Sequence, residues 1–254
     1  MIQPLENKIA LVTGSSKGIG AAIAKRLAKD GAHVVVHFNT NRQLALDVVD
    51  EIRRDGREAE CFGADLGQSD GAYALLAQMK SAFGGRFNER LDVLVNNAGT
   101  FEYAGLTDAT DDAFDRVFHL NVRSVFQLSR EAARQMAPQG WGRIIHIGSV
   151  FGEAAPLPGM GMYCGTKFAV QGFTRAWSRD VGPLGITVNN IQPAVIQGEP
   201  VPTSGPTFDA MKRFTSVGRF GAVQDVAEVA SFLANPNAGF INGESFSVDG
   251  GWRA

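Results

Sequence analysis

Short apolar runs alternate with longer amphipathic segments along the whole chain. The runs at 8–14 (KIALVTG), 32–38 (AHVVVHF), 91–97 (LDVLVNN), 142–149 (GRIIHIGS) and 185–193 (GITVNNIQP) are rich in Val and Ile. They show little apolar–polar alternation, which predicts strands of a parallel sheet buried on both faces. Weaker strand signals lie at 57–65 and 244–250. Between the runs, segments such as 20–31, 42–56 and 111–136 place apolar residues at helical spacing, and Gly or Pro closes or follows each. Repetition of this β-α order predicts a single doubly wound α/β domain with a mostly parallel seven-stranded sheet and helices on both faces. No linker, charge block or low-complexity tract divides the 254 residues, so 1–254 reads as one domain. The segment 196–221 differs in texture. It is dense in Pro, Gly, Ser and Thr, as expected of a substrate loop or lid.

Composition narrows the classes. A formal net charge of −2 gives no basic stripe, which argues against a nucleic-acid surface. Cys61 and Cys164 form neither a disulfide framework nor a zinc-type spacing, so no metal is expected. No run approaches the length that crosses a bilayer, and a cytoplasmic setting without a membrane partner is the expectation.

Candidate chemistry begins directly after the first run. "TGSSKGIG" places Gly14, Ser16, Lys17, Gly18, Ile19 and Gly20 between a strand and a helix N-terminus. Glycines allow tight turning and close backbone approach, and the helix end offers N–H groups and a positive dipole to a pyrophosphate. A Rossmann-type fold is thereby implied. The spacing G-x-x-x-G-x-G differs from the usual G-x-G-x-x-G, so position carries the reading more than pattern does. In NAD-binding folds an acidic residue about 20 positions on meets the ribose 2′-hydroxyl. Here no Asp or Glu stands between Val34 and Arg42. Asn39, Thr40, Asn41 and Arg42, with Lys17, would accept a 2′-phosphate, so NADP(H) is the expected cofactor. Further on, Tyr163 and Lys167 stand four residues apart in "YCGTK", one turn apart on a helix face. A nearby cation favours the phenolate and suits the phenol to proton transfer near neutrality.

The ordered motifs "TGSSKGIG" (13–20), "AD" (64–65), "NNAG" (96–99), "LNV" (120–122), "IGS" (147–149), "YCGTK" (163–167), "IQPA" (191–194) and "VDGGW" (248–252) span nearly the full chain. Together they resemble the short-chain dehydrogenase/reductase family, in the manner of its 3-oxoacyl-carrier-protein reductase-like branch. The resemblance implies an NADP(H)-dependent oxidoreductase that moves a hydride between the nicotinamide and a ketone/secondary alcohol pair. Tyr163 would be the general acid or base, and Lys167 would tune it and hold the nicotinamide ribose. Ser149 would donate to the substrate oxygen, and Asn121 would steady a water leading to Lys167. Asp65 and Leu66 would meet the adenine, Asn97, Ala98 and Gly99 would pass close to its ribose, and Pro193, Ala194, Val195 and Ile196 would line the nicotinamide. The chain departs from the family pattern at Ala194, where Gly is usual, and at Gly198, where a Thr often meets the carboxamide. Position alone suggests Phe151, Glu153 and Met160 as substrate contacts. Homotetramers are common in the family, and the apolar faces of 111–136 and 162–181 fit such interfaces. Two alternatives stay open: an NAD-dependent secondary-alcohol dehydrogenase, and a nucleotide-binding regulator that kept the fold without turnover. His33, His37, His119, His146 and Cys164 read as packing or near-core residues.

Overall fold

The runs do form strands: β1 Ile9–Val12, β2 His33–Phe38, β3 Ala59–Gly63, β4 Val93–Asn96, β5 Gly142–Ile147, β6 Ile186–Pro193 and β7 Ser245–Val248. In the computed structural model, which describes residues 3–83, 90–155, 157–197 and 212–254, they join into one seven-stranded sheet ordered β3-β2-β1-β4-β5-β6-β7. All the pairings are parallel, with Leu11 opposite both Val35 and Leu94.

The missing alternation has a direct cause. Ala10, Val12, Val34, Val36, Val93 and Val95 face one core, while Ile9, Leu11, Val35 and Leu94 face the other. β1, β2 and β4 thus bury apolar side chains on both faces, contributing about 1.5–3 kcal/mol per large aliphatic residue before entropy. The first core is closed by α1 Gly18–Lys29, α2 Arg42–Arg54 and the C-terminal helix, here α7 Val223–Ala234, through Ile23, Leu27, Val49, Ile52, Val226 and Leu233. The second is closed mainly by α3 Gly71–Phe83 and α5 Ser124–Met136, through Leu75, Leu128, Ala132 and Met136. Trp177 and Val181 of the long helix α6 Gly161–Val181 pack against it.

The segment read as one helix over 111–136 has a widened centre. α4 Asp111–Phe118 starts at Thr110, whose hydroxyl accepts from Ala113 N at 3.2 Å, with Asp111 and Asp112 in the first turn. A π-helical turn, His119–Arg123, then leads into α5. Such turns shift the helix face by a residue and often mark functional sites; this one carries Asn121. The loop read at 196–221 is closed at its base, because Gln197 N donates to Gly221 O at 2.8 Å and Gly221 N to Val195 O at 3.0 Å. Gly198 and the rest of 198–211 lie outside the described residues.

Candidate active site

The strand order reverses direction at β1, which has β2 on one side and β4 on the other. Open α/β sheets gather ligands in the crevice at such a point, beyond the strands' C-terminal ends. The glycine turn leaves β1 there. Gly14 has φ +61°, and a Cβ on Gly20 would come within 2.5 Å of the Gly14 carbonyl oxygen and 2.6 Å of Asn97 Nδ2. A side chain at either position would strain or open the turn. Asn97, just after β4, ties down the same turn by donating to Thr13 O at 2.8 Å and Gly14 O at 3.1 Å. The Thr13 hydroxyl in return accepts from the N–H groups of Asn97 and Ala98, both at 2.9 Å. The Asn97 side chain therefore shapes the cradle, and Ala98 and the exposed Gly99 pass beside it as backbone.

His37 is a part of this cradle that periodicity alone did not assign. Its Nδ1 accepts from Gly14 N at 2.9 Å, so Nε2 carries the proton and donates to Ala64 O at 3.0 Å. Burial lowers its pKa below the ordinary histidine value and keeps the ring neutral for this bridge. Its only sequence signal was a polar residue inside a buried run.

These features fit a dinucleotide. The first turn of α1 contains no acidic residue, Lys17 precedes it in extended conformation and Ser16 is half-exposed, while Ile19 is buried beneath. At the end of β2, Asn39, Thr40, Asn41 and Arg42 are all exposed, and the first turn of α2 also lacks an acid. Asn41 Oδ1 caps α2 by accepting from Leu44 N at 3.1 Å, so only its amide nitrogen could meet a phosphate. Asp65 is exposed after β3, with one oxygen held by Gly67 N at 2.9 Å. Leu66 follows with a side chain that is 2% exposed and belongs to the core under α3, so it offers its backbone on the adenine side. Pro193 ends β6, Ala194 N donates to Val248 O at 3.2 Å, and Val195 and Ile196 are buried side chains.

The catalytic candidates come together at the end of β5 and the start of α6. Ser149 heads a short 3₁₀ turn, Val150–Gly152, and its Oγ accepts from Phe151 N at 3.2 Å. That contact uses an acceptor lone pair and not the O–H. A Cβ on Gly152 would lie 2.9 Å from the Lys167 carbonyl oxygen, so this glycine lets the turn sit directly against α6. On α6, Lys167 Nζ donates to Ile147 O at 2.8 Å and lies 5.4 Å from the centre of the Tyr163 ring. Burial pushes the Lys167 pKa down to about 8. Asn121 Oδ1 accepts from Thr100 N at 2.8 Å, and its amide nitrogen donates to Thr100 O at 2.7 Å and Thr166 Oγ1 at 3.1 Å. The π turn thereby links the loop after β4 to α6.

Of the three substrate candidates, Phe151 stands beside Tyr163, with centroids 6.0 Å apart and planes at 68°. Glu153 turns its carboxylate to Gln171, which donates to it at 2.9 Å, and to an ion pair with Arg253. Met160 is buried at the start of α6. Phe101, in the loop after β4, meets Tyr163 from another direction at 6.1 Å and 73°. Cys164 is buried, and burial raises its thiol pKa, which suits a filler. Among the described residues no group of His, Cys, Asp and Glu could hold a metal ion, and no helix is long and apolar enough to cross a membrane.

A family model described as short chain dehydrogenase matches residues 8–206. Versicolorin reductase of Emericella nidulans is 38% identical over 261 residues, covering 97% of this chain and 96% of that protein. A solved short-chain dehydrogenase/reductase from Serratia marcescens superposes with a TM-score of 0.92 at 41% identity, covering 99% of this chain and 100% of that one. A short chain dehydrogenase from Burkholderia cenocepacia, solved in complex with NADP, gives 0.90 at 38% identity with the same coverage.

Proposed function

The chain belongs to the short-chain dehydrogenase family, and from that premise we propose an NADP(H)-dependent carbonyl reductase that interconverts a ketone and a secondary alcohol, with Tyr163 as general acid and base. The observation that carries this reading is the packing of the Ser149 turn against α6 at Gly152, where buried Lys167 reaches Ile147 O and lies 5.4 Å from the centre of the Tyr163 ring. When bound, a reduced nicotinamide would supply the hydride, its two-electron oxidation balancing the reduction of the carbonyl. The carbonyl carbon takes up that hydride, and its oxygen receives the electron pair of the C=O π bond. Tyr163 delivers its phenolic proton to this oxygen while the Ser149 hydroxyl donates a hydrogen bond to it. Lys167, mostly an ammonium at neutral pH, stabilises the phenolate left behind and would also donate to the nicotinamide ribose hydroxyls. Asn121's two amide N–H donors are spent on Thr100 and Thr166, so a water serving Lys167 would be held by its Oδ1 or by the backbone of the π turn.

NADP(H) is favoured over NAD(H) by charge. No carboxylate stands at the end of β2, and the exposed Lys17 and Arg42 would meet a 2′-phosphate. The NADP-bound Burkholderia structure supports the same choice. Ala98 and Gly99 pass along the ribose, Asp65 accepts from the adenine amino group, and Pro193 to Ile196 present backbone to the nicotinamide.

A homotetramer is proposed from the outer face of α4, α5 and α6, where Phe114, Phe126 and Phe168 are each more than 40% exposed. Phe114 stacks on Phe118, and Phe173 on Trp177, beside them.

The test is nicotinamide absorbance during turnover, with NADPH and NADH separately, against ketones and 3-oxoacyl thioesters. Turnover is expected with NADPH and is expected to vanish in Tyr163→Phe. A clear preference for NADH would overturn the cofactor assignment. Tight NADPH binding with no turnover would favour a nucleotide-binding regulator.

A further inference from the structure

Phe101 and Tyr103 are large apolar side chains that the fold leaves 44% and 59% exposed beside the reacting phenol. Their rings meet each other edge to face, with centroids 6.4 Å apart at 80°. Phe101 also meets Tyr163 edge to face, and Phe151 meets it from the 3₁₀ turn. Tyr103 is held from below, because Ala104 N donates to Gly159 O at 3.0 Å and a Cβ on Gly159 would fall 2.9 Å from the Tyr103 ring. The wall is therefore built from two loops that the crevice brings together. Its flanking carboxylates are both engaged by arginine: Glu102 accepts from Arg116 at 2.9 and 3.1 Å, and Glu153 pairs with Arg253.

We propose that this ring-lined wall is a substrate subsite for an uncharged ketone conjugated to a planar aromatic ring, and that Phe101 and Tyr103 select it. The assignment rests on the carbonyl-reductase reading above and names the substrate class of that same site. A carbonyl oxygen at the Tyr163 hydroxyl places a conjugated ring against Phe101 and Phe151. There, offset and edge-to-face contacts add to simple area burial. A saturated ring of the same size gains only the area. A flexible 3-oxoacyl thioester brings no π surface, and the paired carboxylates leave a neutral wall for a neutral ligand.

The experiment measures kcat/KM with NADPH for 1-tetralone, 1-decalone and an acetoacetyl thioester, using the full chain. Wild type is expected to favour tetralone over decalone by about tenfold. Phe101→Leu and Tyr103→Leu are each expected to bring that ratio towards one, with the change falling on KM. Nucleotide fluorescence on NADPH binding confirms that both variants are folded. A wild-type ratio near one, a higher value for the thioester, or a ratio unmoved in both leucine variants overturns the subsite. Decalone or thioester turnover that disappears in Tyr163→Phe would then keep the reductase reading standing. No turnover of any of the three sinks both.

Discussion

At the scale of single residues, Lys167 links burial to chemistry most directly. Its pKa of about 8 in the fold lies below the ordinary 10.5, because the ammonium has been taken out of water. Between these two values the unfolded chain holds a proton that the folded chain has released, so stability rises with pH across that window. Below about pH 8 the folded protein carries the whole cost, about 3 kcal/mol. Lys167→Met removes this dependence. Denaturant unfolding without nucleotide should therefore show wild type gaining on Lys167→Met between pH 7 and pH 10, and parallel profiles would contradict the assignment. Tyr163 and Lys167 were legible in the sequence because a helix fixes the distance between positions i and i+4. Phe101 and Tyr103 were not, because only tertiary packing brings Phe101 to Tyr163 and Tyr103 to Phe101 and Gly159. The partners of Glu153 were not legible either, since Gln171 and Arg253, which hold its carboxylate, come from distant parts of the chain.

Among the elements, legibility follows burial. β1, β2, β4, β5 and β6 bury nearly every side chain and read plainly, whereas β3 and β7 leave most positions partly open and gave weaker signals. Both lie at the ends of the strand order, where one side of the strand has no neighbour. The π turn at His119–Arg123 left no trace in the pattern, because a one-residue shift within an amphipathic helix barely changes its periodicity. The C-terminal residues after β7 also return to the site in a way no pattern showed. Asp249 accepts from Gly251 N at 2.9 Å, and Arg253 reaches Glu153 beside the Ser149 turn, while Gln171 holds Glu153 from α6. With about a third of each side chain exposed, the Glu153–Arg253 pair contributes at most about 1 kcal/mol to stability. Its effect should fall on catalysis instead. Arg253→Glu is expected to lower kcat several-fold with little change in melting temperature, and the swap Glu153→Arg/Arg253→Glu to recover part of it. Loss of melting temperature in step with kcat would reduce the pair to a structural tie.

For the whole molecule, one parallel sheet places the glycine cradle, the Ser149 turn and α6 on the same C-terminal edge, and both cores hold that edge rigid. The doubly wound architecture was legible because each strand's apolar run and each helix's apolar stripe point to the same layered packing. Oligomeric assembly was not, since an apolar helix face reads alike whether a sheet or a second chain covers it. Light scattering at micromolar concentration is expected to give four times the mass of the 27.1 kDa chain, and Phe114→Glu/Phe126→Glu to give a smaller species. A monomeric wild type would remove the tetramer. The central claim is hydride delivery to a carbonyl with Tyr163 supplying the proton, and it is tested most directly with NADPH carrying deuterium at both C4 positions. Product analysis should find deuterium on the carbinol carbon in wild type. Tyr163→Phe should bind NADPH normally and form that product at least about 100-fold more slowly. Unlabelled product, or labelled product formed equally fast by Tyr163→Phe, would contradict it.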